Sequence, residues 1–290
     1  MEIDGRTKIC GLIGNPVEHT LSPMIHNTLA GRMGHNLVYV PFPVEKGRVA
    51  EAVAGAHALG VLGLNVTVPY KSEVIANLKE NDCLAGQIGA VNTLVRTKGG
   101  YKGYNTDMEG LYRAMACEGI RIGGEQIILL GAGGAARAVA HLCAAKGAAK
   151  VYMLNRSLDK AQTVAGEVNK AAGKEIVCPM CMMDYATIPD GKYLAIQGTS
   201  VGLTPNDEDV VISDATFYEK VHTGFDLIYS PWETKFMKLV KAHGGRAYNG
   251  LKMLLYQAII AYELWNEVHV SDADADVVYE KLREHFTGKT

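Results

Sequence analysis

The chain is short of the features that several partner classes require. Its 290 residues carry 29 Lys and Arg against 31 Asp and Glu, a net charge of −2, so the basic excess that a nucleic-acid partner asks for is missing. No apolar run reaches the ~18 residues of a membrane span. The most hydrophobic stretch, Leu251 to Trp265, is broken by Lys252, Gln257 and Glu263. The opening residues MEIDGRTK have no signal-peptide core, and a cytoplasmic protein with no membrane partner is expected. Six cysteines, at 10, 83, 117, 143, 178 and 181, include one C-x-x-C, Cys178 to Cys181. It has neither a second pair nor histidines at ligand spacing, so no metal is expected. The thiols read as reduced and mostly buried, with the C-x-x-C at the end of a short strand, Glu175 to Cys178. Repeats, low-complexity tracts and Pro/Ser-rich linkers are also missing. The length allows two domains, but composition marks no boundary between them.

What is present is a glycine turn in midchain. Ile127 to Leu130 suits a buried strand and runs into Gly131-Ala132-Gly133-Gly134, after which Ala135, Ala136 and Arg137 open an alanine-rich helix. Strand, glycine turn and helix are the opening unit of a dinucleotide-binding fold. Gly131 permits the tight turn, Gly133 lets backbone approach a pyrophosphate, and the small Ala136 lets helix lie close to strand. The helix N-terminus then aims unpaired N–H groups at the phosphates. About 20 residues on, a second apolar run, Val151 to Leu154, ends in Asn155-Arg156-Ser157. The acid that binds a free ribose 2′-OH at this point is missing. Arg156 offers a planar donor fork suited to phosphate, with the Ser157 hydroxyl beside it and Lys160 on the same helix, which favours NADP over NAD.

Before this turn, strands are expected at Lys8–Ile13, Leu37–Phe42 and Gly63–Val68. Helices are expected from Ser22-Pro23 (Ser22 as N-cap, Gly31 and Gly34 as the end), over Val44–Leu59, and from Pro69 through Leu78. Val91–Arg96 and Tyr101–Tyr104 flank Gly99-Gly100 as a hairpin. Asp107 begins a bridging helix to about Cys117. After the turn, further strands are expected at Tyr193–Gln197, Gly224–Leu227 and Arg246–Tyr248. Helices are expected over Glu233–His243, from Gly250 through Trp265, and at the C-terminus, where Val278, Leu282 and Phe286 form a docking face. The fold class is α/β in two domains.

A nicotinamide cofactor supplies a hydride, and the protein must orient the substrate and handle a proton. Lys71, placed in the first turn of the expected helix, meets an unfavourable dipole that would lower its pKa toward the range of a general acid/base. Asp107 suits an N-cap, and the same carboxylate can pair with Lys71. Thr67, Asn92, Thr20 and Ser22 are polar groups at strand ends and helix starts, where α/β sites gather. His19 and His26 receive no role.

Taken together, the motifs resemble those of the shikimate dehydrogenase family along nearly the whole chain. They are Gly14 to Pro23 with His26-Asn27, Asn65 to Lys71, Ile88 to Thr93, Asn105-Thr106-Asp107, Gly131 to Ala135 and Asn155-Arg156-Ser157. Thr199 to Gly202 with Pro205, Asp226 with Tyr229-Ser230-Pro231, and Gly250 with Met253-Leu254 and Gln257 complete the set. The resemblance implies a substrate-binding α/β domain over 1–106 and 250–290, and a Rossmann-like NADP-binding domain over 107–249. It implies reversible NADP-linked reduction of 3-dehydroshikimate to shikimate on the path to chorismate and the aromatic amino acids. Lys71 then corresponds to the acid/base and Asp107 to its partner. Thr20, Ser22 and Tyr229 correspond to carboxylate-binding hydroxyls, and Thr67, Asn92 and Gln257 to groups that read the ring hydroxyls. Gly131, Ala132, Gly133, Gly134, Ala135, Asn155, Arg156, Ser157 and Lys160 fall on the cofactor loops, and Leu227, Gly250 and Met253 at the nicotinamide end. Threonine at 20 departs from the family's usual serine. The alternatives are a quinate/shikimate dehydrogenase using NAD or both cofactors, a methylene-tetrahydrofolate-type dehydrogenase, and a non-catalytic sensor of shikimate-like ligands or NADP. Monomer and homodimer both stay open.

Overall fold

The structure, a computed structural model, describes residues 2–288. In the first half, β1 (Lys8–Gly14), α1 (Ser22–Met33), β2 (Leu37–Pro43), α2 (Val49–Ala58) and β3 (Gly63–Val66) alternate. A 3-10 turn over Glu73–Asn77 follows, then β4 (Glu80–Asn81), α3 (Cys83–Ile88), β5 (Thr93–Thr97) and β6 (Gly100–Tyr104). The sheet order is β2-β1-β3-β5-β6-β4. The first three strands are parallel, and β5 runs antiparallel to both β3 and β6. The five residues of β1 from Cys10 to Gly14 are all buried, as a parallel strand covered on both faces requires. The hairpin turns at Gly99, whose φ of +92° favours glycine.

α4 (Asp107–Cys117) leads into the second half: β7 (Gln126–Leu130), α5 (Gly134–Ala145), β8 (Lys150–Asn155), α6 (Leu158–Ala172) and β9 (Val177–Cys181). After a 3-10 segment at Met182–Thr187 come β10 (Tyr193–Gln197), α7 (Ala215–Glu219), β11 (Val221–Asp226), α8 (Lys235–Ala242) and β12 (Arg246–Tyr248). The six strands are all parallel in the order β12-β11-β10-β7-β8-β9. This is the doubly wound order of dinucleotide-binding folds, and it reverses between β7 and β10, where such sheets hold ligands. α9 (Leu251–Asn266) and α10 (Asp272–Thr287) close the chain.

Two compact units result. The first runs to Gly110 and resumes over Leu254–His285; the second is Leu111–Met253 with the described end of α10 from Phe286. The division falls a few residues beyond the 106/107 and 249/250 cuts expected from sequence. Its cause is the first turn of α4, which lies against α9: a Cβ on Gly110 would meet the Gln257 nitrogen at 2.6 Å. α9 also seals the first sheet. A Cβ on Gly63 would strike the Trp265 indole, whose Nε1 donates to the Leu94 carbonyl at 2.9 Å. Among the described residues, no helix is long and apolar enough to cross a membrane.

Several local expectations are corrected. The helix expected from Pro69 does not form; only the 3-10 turn does, because the chain here is drawn into tertiary pairing, with Val91 N donating to the Lys71 carbonyl at 2.8 Å. Ser22 is the first helical residue, and the cap position, Leu21, makes no side-chain cap bond. Gly31 lies inside α1, which Gly34 ends at φ +67°. α2 starts at Val49, five residues after Val44. α8 starts at Lys235, capped by Thr234, whose hydroxyl accepts from Met237 N. β9 extends through Cys181, so Cys178 and Cys181 sit three apart on a strand, on opposite faces. Only Cys10 and Cys143 are buried; Cys83 and Cys117 are exposed and the other two half-buried.

Candidate active site

In the first unit, three candidate side chains converge from three different segments. Lys71 stands in the turn beyond β3, Asn92 immediately ahead of β5, and Asp107 opens α4. The Lys71 ammonium donates to Asp107 Oδ2 at 2.7 Å, with the two side chains 33% and 22% exposed. Asn92 Nδ2 donates to Asp107 Oδ1 at 2.8 Å and to Thr106 Oγ1 at 3.0 Å. No α-helix starts at Pro69, and the electrostatic partner that Lys71 meets is the Asp107 carboxylate at the start of α4. Asp107, in turn, is not spent on capping, since both its oxygens are engaged by Lys71 and Asn92. The amide hydrogens of Asn92 are both directed at protein acceptors, so a ring hydroxyl would meet this residue only by sharing one.

Thr20 and Ser22 form a second small group in this unit. The Thr20 hydroxyl donates to Ser22 Oγ at 3.2 Å and accepts from Ser22 N at 3.3 Å, which sets two hydroxyls side by side at the start of α1. Thr67 is half-buried just past β3; a Cβ on Gly14 would collide with its methyl group, so glycine there makes room for it. Gln257, on α9, turns its amide back to the Leu254 carbonyl at 2.8 Å.

Sequence reasoning gave no role to the groups behind this cluster. Asn65, Thr93 and Thr106 are buried and bonded into it, and Tyr39 donates to Asn65 Oδ1 at 2.8 Å. The available signal was Asn65 between Leu64 and Val66, and Thr93 ahead of Leu94 and Val95. His26 is wholly buried. It stacks on Tyr39 at 4.2 Å between ring centres and lies 5.0 Å from Trp265, with no hydrogen-bond partner on either nitrogen among the described residues. Burial pushes its imidazole down to about 3, offset only in part by the nearby Asn65.

In the second unit, a cleft of about 1170 Å³ opens at the C-terminal ends of β7, β8, β10 and β11. It is lined by Gly131, Ala132, Gly133, Gly134 and Ala135, by Asn155, Arg156, Ser157 and Lys160, and by Leu227 and Tyr229. Gly131 holds φ +110° and approaches Thr199 so closely that a Cβ would lie 2.8 Å from its methyl. Above Gly133 and Gly134 the space is open; there is no protein reason for glycine there, and a backbone cradle at the N-terminus of α5 fits a phosphate group. Ala136 lies against Gly198, where a Cβ would meet its own Cβ at 3.0 Å. At the end of β8, Asn155 Nδ2 donates to the Ser157 carbonyl at 2.8 Å. Ser157 occupies the cap position of α6 without a side-chain cap bond. Arg156 and Lys160 are exposed at the positive end of that helix, where cations are disfavoured unless an anion joins them.

Tyr229 is carried by this unit, and burial raises its phenol. Gly250 and Met253 do not line the cleft. Gly250 is glycine for a steric reason, since a Cβ would strike the Leu227 carbonyl, and it supports the Leu227 turn from behind. That turn is fixed further by Asp226, fully buried, which accepts from Ile228 N at 3.0 Å and from the Thr234 hydroxyl at 2.6 Å. Burial pushes the Asp226 carboxyl up to about 6, against those two bonds. The β10 loop, unassigned from sequence, is held by Gln197, which accepts from Thr199 N at 2.6 Å and donates to the Val201 carbonyl at 3.0 Å.

Comparison with known proteins places these two groups of residues in context. Residues 12–94 match the family described as the shikimate dehydrogenase substrate binding domain, and residues 115–182 match shikimate / quinate 5-dehydrogenase. The chain is 39% identical over 270 residues to the shikimate dehydrogenase (NADP(+)) of Desulforamulus reducens, covering 91% of each. A crystal structure of a shikimate dehydrogenase in complex with NADP+ superposes with a TM-score of 0.87 at 35% identity, over 97% of each chain. The Listeria monocytogenes shikimate 5-dehydrogenase, crystallised with shikimate and NAD, gives 0.89 at 27% identity, over 97% of this chain and 98% of the other.

Proposed function

The chain belongs to the shikimate/quinate dehydrogenase family, and from that premise we propose that it catalyses the reversible NADPH-dependent reduction of 3-dehydroshikimate to shikimate on the path to chorismate. The observation that carries the proposal is the 2.7 Å pair of Lys71 and Asp107. A bound nicotinamide cofactor supplies the hydride; the chain's own residues must then hold the substrate and move one proton. In the reductive direction Lys71 gives a proton from Nζ to the developing alkoxide. Asp107 holds the ammonium in place and stays ionised. In the oxidative direction the same amine takes the hydroxyl proton. Thr20 and Ser22 present two hydroxyls suited to a carboxylate, and Thr67, Asn92 and Gln257 supply the polar contacts for the ring hydroxyls. These roles support reading the first unit as the substrate-binding domain, expected over 1–106 and 250–290.

For the cofactor, the open cradle over Gly133 and Gly134 would hold the pyrophosphate, and Arg156, Ser157 and Lys160 would hold a 2′-phosphate. NADP is therefore the preferred cofactor. Arg156→Ala is expected to weaken NADP+ binding about 10–150-fold, the equivalent of one charge-assisted hydrogen bond of about 1.5–3 kcal/mol, while NAD+ affinity stays within twofold. Calorimetric titration of each cofactor measures this directly. An equal loss for both would show that Arg156 shapes the turn and does not read the phosphate.

The reaction itself is tested by steady-state oxidation of shikimate and of quinate, each with NADP+ and NAD+. Shikimate with NADP+ is expected to lead by a hundredfold or more in kcat/KM. Quinate or NAD+ within about tenfold would move the chain to the dual-specificity branch of the family. Ligand binding without turnover in any pairing would make it a sensor.

A further inference from the structure

Behind the catalytic pair, two backbone groups fix which way the Asn92 and Asn65 amides face. The Thr106 N–H can only donate, and it lies 2.8 Å from the Asn92 side chain. That atom must therefore be Oδ1, which turns Nδ2 toward Asp107. The Asn92 carbonyl can only accept, and it lies 3.2 Å from the Asn65 side chain; the atom facing it must be Nδ2. The same Nδ2 donates to Thr93 Oγ1 at 3.1 Å, so the Thr93 oxygen is an acceptor there and its own proton must leave in another direction. Two acceptors are within reach: Asn92 Oδ1 at 3.1 Å and Thr106 Oγ1 at 3.3 Å. Thr106 Oγ1 in turn reaches Asn92 Oδ1 at 3.2 Å, so both routes end on the same oxygen. Thr93 is completely buried.

Resting on the reading of Lys71 and Asp107 given above, we propose that the Thr93 hydroxyl is a positioning residue for the reaction: it clamps the Asn92 amide in the orientation that aims Asp107 at Lys71. The clamp is polar and directional, so a side chain of the same shape without the hydroxyl does not replace it. In Thr93→Val, Asn92 keeps the Thr106 N–H and Asn65 keeps the Asn92 carbonyl, which preserves the fold while loosening the amide. A misaimed proton donor slows the chemical step and leaves substrate binding largely alone.

The test is a double-mutant cycle between Thr93→Val and Asn92→Ala, read as kcat and KM for shikimate, with the primary deuterium isotope effect on hydride transfer. Thr93→Val is expected to lower kcat about tenfold with KM within threefold and a larger isotope effect. Thr93→Ser is expected to restore most of the loss, and in the Asn92→Ala background Thr93→Val should cost less than twofold more. A kcat within twofold of wild type in Thr93→Val, an equal loss in Thr93→Ser, or full additivity in the cycle each overturns the proposal. Failure of the underlying reading has a different signature: Lys71→Ala would then keep its kcat whatever Thr93 does.

Discussion

Lys71→Ala is expected to lower kcat by about 10²–10⁴-fold while the KM for shikimate stays within a few-fold. The ammonium is held 2.7 Å from Asp107, and that geometry matters only when a proton moves at the neighbouring oxygen. An interaction of this kind is made in the transition state and contributes little to ground-state binding. The alanine variant should fold, because the Asp107 carboxylate stays partnered without Lys71: Asn92 still donates to Oδ1, and Oδ2 can turn to water from a side chain that is 22% exposed. Paired measurements of kcat and KM in both directions give the answer. A loss confined to KM would make Lys71 a binding residue and take the proton chemistry away from this pair.

The first unit is expected to weaken in acid through a single buried side chain. His26 has its folded pKa depressed from 6.5 to about 3, so between these values the unfolded chain binds a proton that the folded chain refuses. The stability this residue leaves intact above pH 6.5 is therefore lost as pH falls toward 3, by about 5 kcal/mol over the full window. His26→Phe keeps an aromatic ring between Tyr39 and Trp265 and has nothing to protonate. Urea unfolding followed by Trp265 fluorescence in a Trp232→Phe background, at several pH values from 4 to 7.5, should show a much shallower acid loss in His26→Phe than in its parent. Parallel pH slopes for the two would mean that other groups cause the acid loss. Asp226, in the second unit, works with the opposite sign, because its raised carboxyl favours the folded state as pH falls through about 6.

The elements with a strong local signature were legible in the sequence. Ile127 to Leu130 and Gly131 to Gly134 formed the expected strand and turn because both periodicity and glycine chemistry point the same way. The hairpin at Gly99 and the start of α4 at Asp107 were legible for the same reason. What failed were inferences about places where distant chain decides. Nothing local says that the Lys71 carbonyl will accept from Val91 and so deny the segment after Pro69 a helix. Ser22 followed by Pro23 looks like a cap, yet the helix takes Ser22 as its first residue and leaves the hydroxyl for Thr20. In the candidate site, Lys71, Asp107 and Asn92 could be named because they carry the chemistry. Thr93, Asn65 and Tyr39 stand behind them, and their contribution lies in the direction of hydrogen bonds between segments far apart in the chain. Gly250 must be glycine because the backbone of Leu227 leaves no room for a Cβ, a contact that local sequence does not reveal.

The Trp265 indole pressed onto Gly63 has a consequence for how the protein is made. The core of the first unit includes a helix that leaves the ribosome only after the whole of Leu111–Met253. The second sheet, by contrast, is continuous in sequence and needs nothing beyond its own segment to close. On a growing chain the later unit is thus the one able to mature first. The earlier strands wait with their Trp265 slot empty until the segment after Met253 is joined, so birth order and maturation order run in opposite directions.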